Sequence, residues 1–181
     1  ADRDTPLSCY KKLARGLFWY LFDSVQGVVK LGRYSIIGLF CHTVLACPGR
    51  EVTVTVDGMV TERAEYANPH DFVELFKARF NVPEIEGLPR FHGGLVGYFG
   101  YDTVRYVEPK LAKSVPFDDI GTPDIMLMVS DEVLVFDNLK GTISIICHAD
   151  VNQADGYEKA QARIAELSAR LAEPAPQLPN L

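Results

Sequence analysis

The sequence lacks a surplus of positive charge, a long apolar run and any closely spaced pair of cysteines. Its 18 lysines and arginines are outnumbered by 24 acidic residues, giving a formal net charge of -6. Non-specific binding to nucleic acid needs a basic surface, so that class of partner is set aside. No apolar stretch approaches the roughly 20 residues that span a bilayer, and no membrane association is expected. Ala1-Asp2-Arg3-Asp4 is not followed by the apolar core of a secretory leader, which makes a cytoplasmic protein the expectation. The four cysteines, Cys9, Cys41, Cys47 and Cys147, form no Cys-x-x-Cys and read as reduced, partly buried thiols. Cys41-His42 and Cys147-His148 invite a metal reading, but adjacent residues on a strand face opposite ways. Each dipeptide offers one ligand at most, so no metal site is expected.

Catalytic arrangements are equally scarce. No nucleophile stands in an arguable relation to a base, and His70 and His92 are isolated, as surface or capping histidines usually are. Asp118-Asp119 and Asp131-Glu132 read as acids of solvated loops. No catalytic residue is assigned, and no internal repeat is visible. What the chain does have is material for a core: 48% of its residues are hydrophobic against 23% charged, enough for one globular domain.

Thr5-Pro6 reads as a helix start, with Leu7, Tyr10 and Leu13 following at helical spacing. Phe18 to Ser24 is expected to be a strand. Tyr34 to Leu45 reads as a single longer one, apolar on both faces. Glu51 to Val56 alternates, and Asp57-Gly58 supplies a type I′ turn into Met59 to Arg63. Asn68-Pro69 caps a helix whose apolar stripe is Phe72, Leu75, Phe76 and Phe80, closed by Pro83. Strands are expected over Asp124 to Ser130, Glu132 to Phe136 and Thr142 to Cys147, with a turn at Asp137 to Gly141. Gly156 to Ala172 reads as an amphipathic helix with Tyr157, Ile164, Leu167 and Leu171 on its apolar side. The expected class is α+β, with mainly antiparallel sheets packed together and helices outside. Residues 1–172 form the domain, and 173–181, with Pro174, Pro176 and Pro179, form a proline-rich tail.

Gly93-Gly94-Leu95-Val96-Gly97-Tyr98-Phe99-Gly100-Tyr101-Asp102 packs four glycines into eight residues. Such a backbone turns tightly or approaches another element where a Cβ would clash. The bulky residues between the glycines suggest a buried segment. It is neither a dinucleotide fingerprint nor a Walker loop, since no Gly-Lys-Ser/Thr follows. Close packing is the reading, with Asp102 and Arg105 pairing or capping the next turn. Gly32-Arg33-Tyr34-Ser35-Ile36-Ile37-Gly38 reads as a turn entering a buried strand with Arg33 at the surface.

These two segments, with Thr5-Pro6-Leu7-Ser8 and Tyr20-Leu21-Phe22-Asp23-Ser24, resemble the amino-terminal region of the anthranilate synthase large subunit (component I), over about Thr5 to Leu171. Aminodeoxychorismate synthase is the less similar family, because both glycine-bounded stretches read closer to anthranilate synthase. Nothing here corresponds to the chorismate-binding catalytic region of the family. The resemblance therefore implies a non-catalytic regulatory and structural domain of tryptophan biosynthesis, inactive alone toward chorismate. Its partners would be a catalytic region or a glutaminase subunit. The complete family enzyme uses magnesium, and no cofactor is assigned to this chain.

In the family, the counterpart of Leu21-Phe22-Asp23-Ser24, usually Leu-Leu-Glu-Ser, lines the site of allosteric feedback inhibition by L-tryptophan. The residue types suit that role. An amino acid needs an acceptor for its ammonium, donors for its carboxylate and an apolar slot. Asp23 and Ser24 would supply polar contacts, Leu21 and Phe22 the wall, and Lys30 a charge facing the carboxylate. Read without the resemblance, the same residues are an edge strand whose Asp23 and Ser24 face water. A module that assembles with partner subunits and has lost effector binding is the alternative. Phe22 for leucine and Asp23 for glutamate depart from the family pattern, as do Val28, Val29 and Phe40. A larger ring and a shorter carboxylate change the room left for a ligand.

Overall fold

The computed structural model describes residues 5–14, 16–26, 30–108, 110–113, 118 and 120–174; the side chains of 24–26, 30 and 31 are not among them. Expectations placed on Val28, Val29, Asp119 and the tail beyond 174 lie outside the described residues. Those residues cluster into two compact units, 1–41 with 88–94 and 130–181, and 42–87 with 95–129.

The first unit holds a four-stranded sheet in the order β1 (Tyr20–Gln26), β2 (Lys30–Gly38), β8 (Glu132–Asp137), β9 (Thr142–Cys147), with every neighbour antiparallel. Helices α1 (Pro6–Leu13) and α4 (Gly156–Ala172) join this sheet around Cys9, Leu13, Ile37, Leu39, Leu134, Phe136 and Leu167. Helix α1 starts where Thr5 and Ser8 form a reciprocal capping box and Pro6 occupies the first turn. The two helices are tied at their ends: the Lys12 Nζ donates to the Leu171 carbonyl at 2.9 Å, and Arg170 to the Leu13 carbonyl at 2.9 Å. Arg163 on α4 donates from Nε to Glu132 at the head of β8, also at 2.9 Å. Glu132 is thus a half-buried ion-pair partner and not a solvated loop acid. Tyr157, expected on the apolar side of α4, is 68% exposed because it precedes the turns that meet the sheet.

The second unit holds a five-stranded sheet in the order β5 (Met59–Glu65), β4 (Glu51–Val56), β3 (Thr43–Cys47), β7 (Ile125–Ser130), β6 (Gly94–Phe99). The hairpin between β4 and β5 turns at Asp57 and Gly58, both with positive φ as a type I′ turn demands. Asn68 caps α2 (Pro69–Lys77), which buries Phe72, Val73 and Phe76 against Leu45, Val52, Val54, Ile125 and Leu127. Leu75 is 57% exposed, so the stripe runs through Val73 instead, and the helix stops at Lys77 well before Pro83. The short α3 (Val104–Val107) follows the glycine-rich stretch.

Three further expectations are corrected. The run from Tyr34 to Leu45 is two strands in different sheets, β2 ending at Gly38 and β3 beginning at Thr43. Leu39 and Cys41 between them are buried, so the apolar pattern carries no sign of the break. The first strand starts at Tyr20, since Phe18 has a φ of 64°, outside the β region. The glycine-rich segment is not buried as a whole: Val96 is, while Phe99 is half exposed and Tyr101 93% exposed. Its glycines do serve close approach. A Cβ on Gly97 would fall on the Met126 carbonyl and 2.8 Å from its carbon. Arg105 pairs with Asp102 at 2.8 Å, as the spacing suggested. The α+β class stands, with two separate antiparallel sheets.

Candidate functional site

Strand β1 is an edge strand of the four-stranded sheet, and its register on β2 pairs Tyr20 with Gly38, Leu21 with Ile37, Phe22 with Ile36 and Asp23 with Ser35. Alternation places Tyr20 and Phe22 on one face and Leu21 and Asp23 on the other. The Tyr20 and Phe22 rings lie 4.9 Å apart, and Phe22 is 52% exposed. Gly38 is required here, because a Cβ at that position would sit inside the Tyr20 ring. The Tyr20 hydroxyl meets the Ser130 hydroxyl at 2.7 Å, and burial pushes its pKa up to about 12. Tyr20 is therefore a fixed neutral anchor for the strand. Leu21 is partly buried and packs against the core shared with α1 and α4.

Asp23 is exposed, yet its carboxylate is held from within: the fully buried Ser35 hydroxyl donates to Oδ1 at 2.6 Å. Beyond Asp23 the pairing slips, since Val25 is opposite Leu31, and Gly32 to Tyr34 stand opposite Ser24. Bulges of this kind re-aim side chains and open backbone groups to other partners. Gly32-Arg33-Tyr34-Ser35 thus lies inside β2 and is not a turn. Arg33 donates to Asp137 at 3.1 and 3.4 Å, holding that carboxyl below the usual range, with two backbone N–H groups of the following turn assisting. The backbone of Lys30 pairs with Gln26 at the far end of the hairpin. The side chains of Ser24 and Lys30 lie outside the described residues. Among the proposed site residues, Leu21 and Asp23 share a face and Phe22 does not.

Ser35, Asn138 and the Arg33–Asp137 pair are the residues that sequence reasoning missed. One signal was present: a hydroxyl beside Ile36 and Ile37 in a buried strand has to find a polar partner. That partner could not be named from sequence, being contributed partly by the turn after β8.

Arg33→Gln is expected to lower the melting temperature at neutral pH. A carboxyl with a depressed folded pKa adds stability above its unfolded value and loses it as pH falls through the folded one. The deficit of the variant should therefore shrink as pH falls below about 3.8, the ordinary value for Asp137. Calorimetry at pH 7 and pH 3 checks this, and a deficit independent of pH would exclude an ionic contribution.

The remaining titratable groups carry less. Burial lifts the thiols of Cys41 and Cys147 to about 12 and that of Cys47 to about 11, so they stay protonated and unreactive. His70 joins the cap of α2 through the Asn68 side-chain oxygen at 2.9 Å and stacks on Phe99. His148 donates from Nε2 to the His92 carbonyl at 2.7 Å and stacks on its ring. Among the described residues, no group of three or more histidine, cysteine or acidic side chains is placed to hold a metal ion. No helix among them is long and apolar enough to cross a membrane.

The fold and site define an antiparallel α+β protein with an internally supported carboxylate on an edge strand. No family model matches the chain. Anthranilate synthase component 1 of Pseudomonas aeruginosa is 58% identical over 174 residues, spanning 96% of this chain and 35% of that protein. Its counterpart from Pseudomonas putida is 51% identical over the same shares. Among solved structures, anthranilate synthase component I from Streptococcus pneumoniae TIGR4 has a TM-score of 0.63 at 25% identity, covering 84% of this chain and 32% of that one. The chain belongs to the anthranilate synthase component I family, as the counterpart of its amino-terminal region. It spans about a third of the length of the curated relatives it matches, 35% in both cases.

Proposed function

We propose that this chain is the non-catalytic, regulatory and structural region of an anthranilate synthase, the enzyme that makes anthranilate from chorismate in tryptophan biosynthesis. Its regulatory task is to bind L-tryptophan at the β1 edge. The observation that carries this reading is Asp23: an exposed carboxylate fixed by a fully buried hydroxyl at 2.6 Å. Such a group accepts a ligand ammonium without having to be ordered first, which removes part of the entropy cost of binding. Ser24 and Lys30 would add the polar contacts to the ligand carboxylate. Binding to this region alone is weak, because the family pocket is completed by the catalytic region.

A ligand at about ten times its Kd stabilises the folded state by about 1.4 kcal/mol, which raises the melting temperature of a domain this size by roughly 3–6 °C. L-Tryptophan is expected to produce such a rise in calorimetry, and Asp23→Ala to remove it. A rise that persists in that variant would move the ligand elsewhere.

A second reading, assembly with a catalytic region or glutaminase subunit without effector binding, is favoured by the second unit. Phe99, Tyr101 and Val107 are exposed there, and contact surfaces are built from exposed apolar groups that join into a patch. No shift with tryptophan in the parent chain, together with concentration-dependent association in light scattering, would select this reading over the first.

A further inference from the structure

We propose that Ser35 and Asn138 are positioning residues that set the Asp23 carboxylate for a ligand ammonium; the inference rests on the reading of Asp23 as that acceptor. Asn138 sits in the turn after β8, where its backbone N–H donates to the Arg33 carbonyl at 2.8 Å. Its side-chain Nδ2 donates to the Gly32 carbonyl at 2.9 Å and to the Ser35 hydroxyl at 3.3 Å. A carbonyl oxygen only accepts, so the Gly32 contact fixes which end of the amide faces the sheet. With Asn138 donating to the Ser35 oxygen, the serine proton is directed onward to Asp23 Oδ1 at 2.6 Å. The chain of donors runs one way, from amide to hydroxyl to carboxylate, and it leaves Oδ2 for the ligand.

The β2 bulge explains why Asn138 is needed. Gly32 to Tyr34 stand opposite a single β1 residue, so the Gly32 carbonyl is freed from regular pairing with β1 and is met by Asn138 instead. The same bulge seats Ser35 across from Asp23. An exposed carboxylate gains little stability from an internal donor, since water serves it equally well. A fully buried hydroxyl aimed at it, backed by an amide, is instead what a pre-set acceptor requires.

The test uses the 181-residue chain with Asn138→Asp, which keeps the shape of the side chain and replaces the donor by an acceptor. Asn138→Ala is the second variant, in case the added charge prevents folding. In the absence of ligand, the Asp23 side-chain carboxyl resonance in carbon-detected NMR should move in both variants. With ligand, L-tryptophan and indole-3-propionate, which has the same ring but no ammonium, are titrated in parallel. Loss of one neutral hydrogen bond in this donor chain weakens binding about fivefold, and the loss should fall on tryptophan and spare the propionate. An unmoved Asp23 resonance overturns the inference, as does equal weakening of both ligands. If the parent binds no tryptophan, the effector reading fails by itself, and the ligand-free resonance still decides whether Asn138 sets Asp23.

Discussion

Gly97→Ala is expected to be the most damaging small substitution in the second unit. A Cβ there would overlap the Met126 carbonyl oxygen and come within 2.9 Å of the Leu127 Cα. Both belong to the backbone of β7, so no side-chain rotation relieves the clash, and β6 would have to leave its neighbour. Overpacking a relaxed site already costs about 1–3 kcal/mol, and a rigid backbone obstacle places this variant at or above the top of that range. Against a total stability of about 5–15 kcal/mol, that is a large fraction. Urea unfolding followed by far-ultraviolet circular dichroism should show a clearly lowered midpoint. Gly100→Ala serves as the graded control, since its Cβ would stand 3.0 Å from the Asp124 carbonyl oxygen and needs only a small adjustment. A Gly97→Ala midpoint equal to that of the parent would mean that the close approach of β6 to β7 does not exist in solution.

The other large effect is expected in the first unit, at Leu167. This residue is fully buried in the cluster formed by Cys9, Leu13, Ile37, Leu39, Leu134 and Phe136. Leu167→Ala leaves a cavity between α4, α1 and the sheet, at a cost of about 2–5 kcal/mol. The sole tryptophan, Trp19, packs against the same cluster, so its fluorescence reports the loss directly. Leu75→Ala on α2 is the matched comparison: the same truncation at an exposed position should stay within about 0.5 kcal/mol. Were Leu75→Ala the costlier of the two, the packing described for α2 and α4 would be wrong.

Turn and capping chemistry was legible in the sequence at several places. Asp57-Gly58 dictated the hairpin because only residues tolerant of positive φ make that turn. Thr5-Pro6 and Asn68-Pro69 marked two helix starts, since a side-chain oxygen followed by proline satisfies the first turn and nothing else as well. The bounds of α4 and the turn at Asp137 followed from the same short-range rules. The similarity of whole segments pointed to the family, and Asp102 with Arg105 to an ion pair one helical turn apart.

What the tertiary structure decided was everything that depends on a distant partner. Burial cannot be read from a residue's own character: Leu75, Tyr101 and Tyr157 are apolar or aromatic and stay exposed, because none of the described elements covers them. The passage from one sheet to the other between Gly38 and Thr43 is invisible in an apolar run, for hydrophobic pattern records burial and not which strand provides it. At the candidate site, the sequence named Asp23 but not its support. Ser35 reaches it through strand register, and Asn138 reaches Ser35 across 103 positions of chain. A hydrogen bond is specified by the meeting of two groups, and only the folded sheet brings these two together.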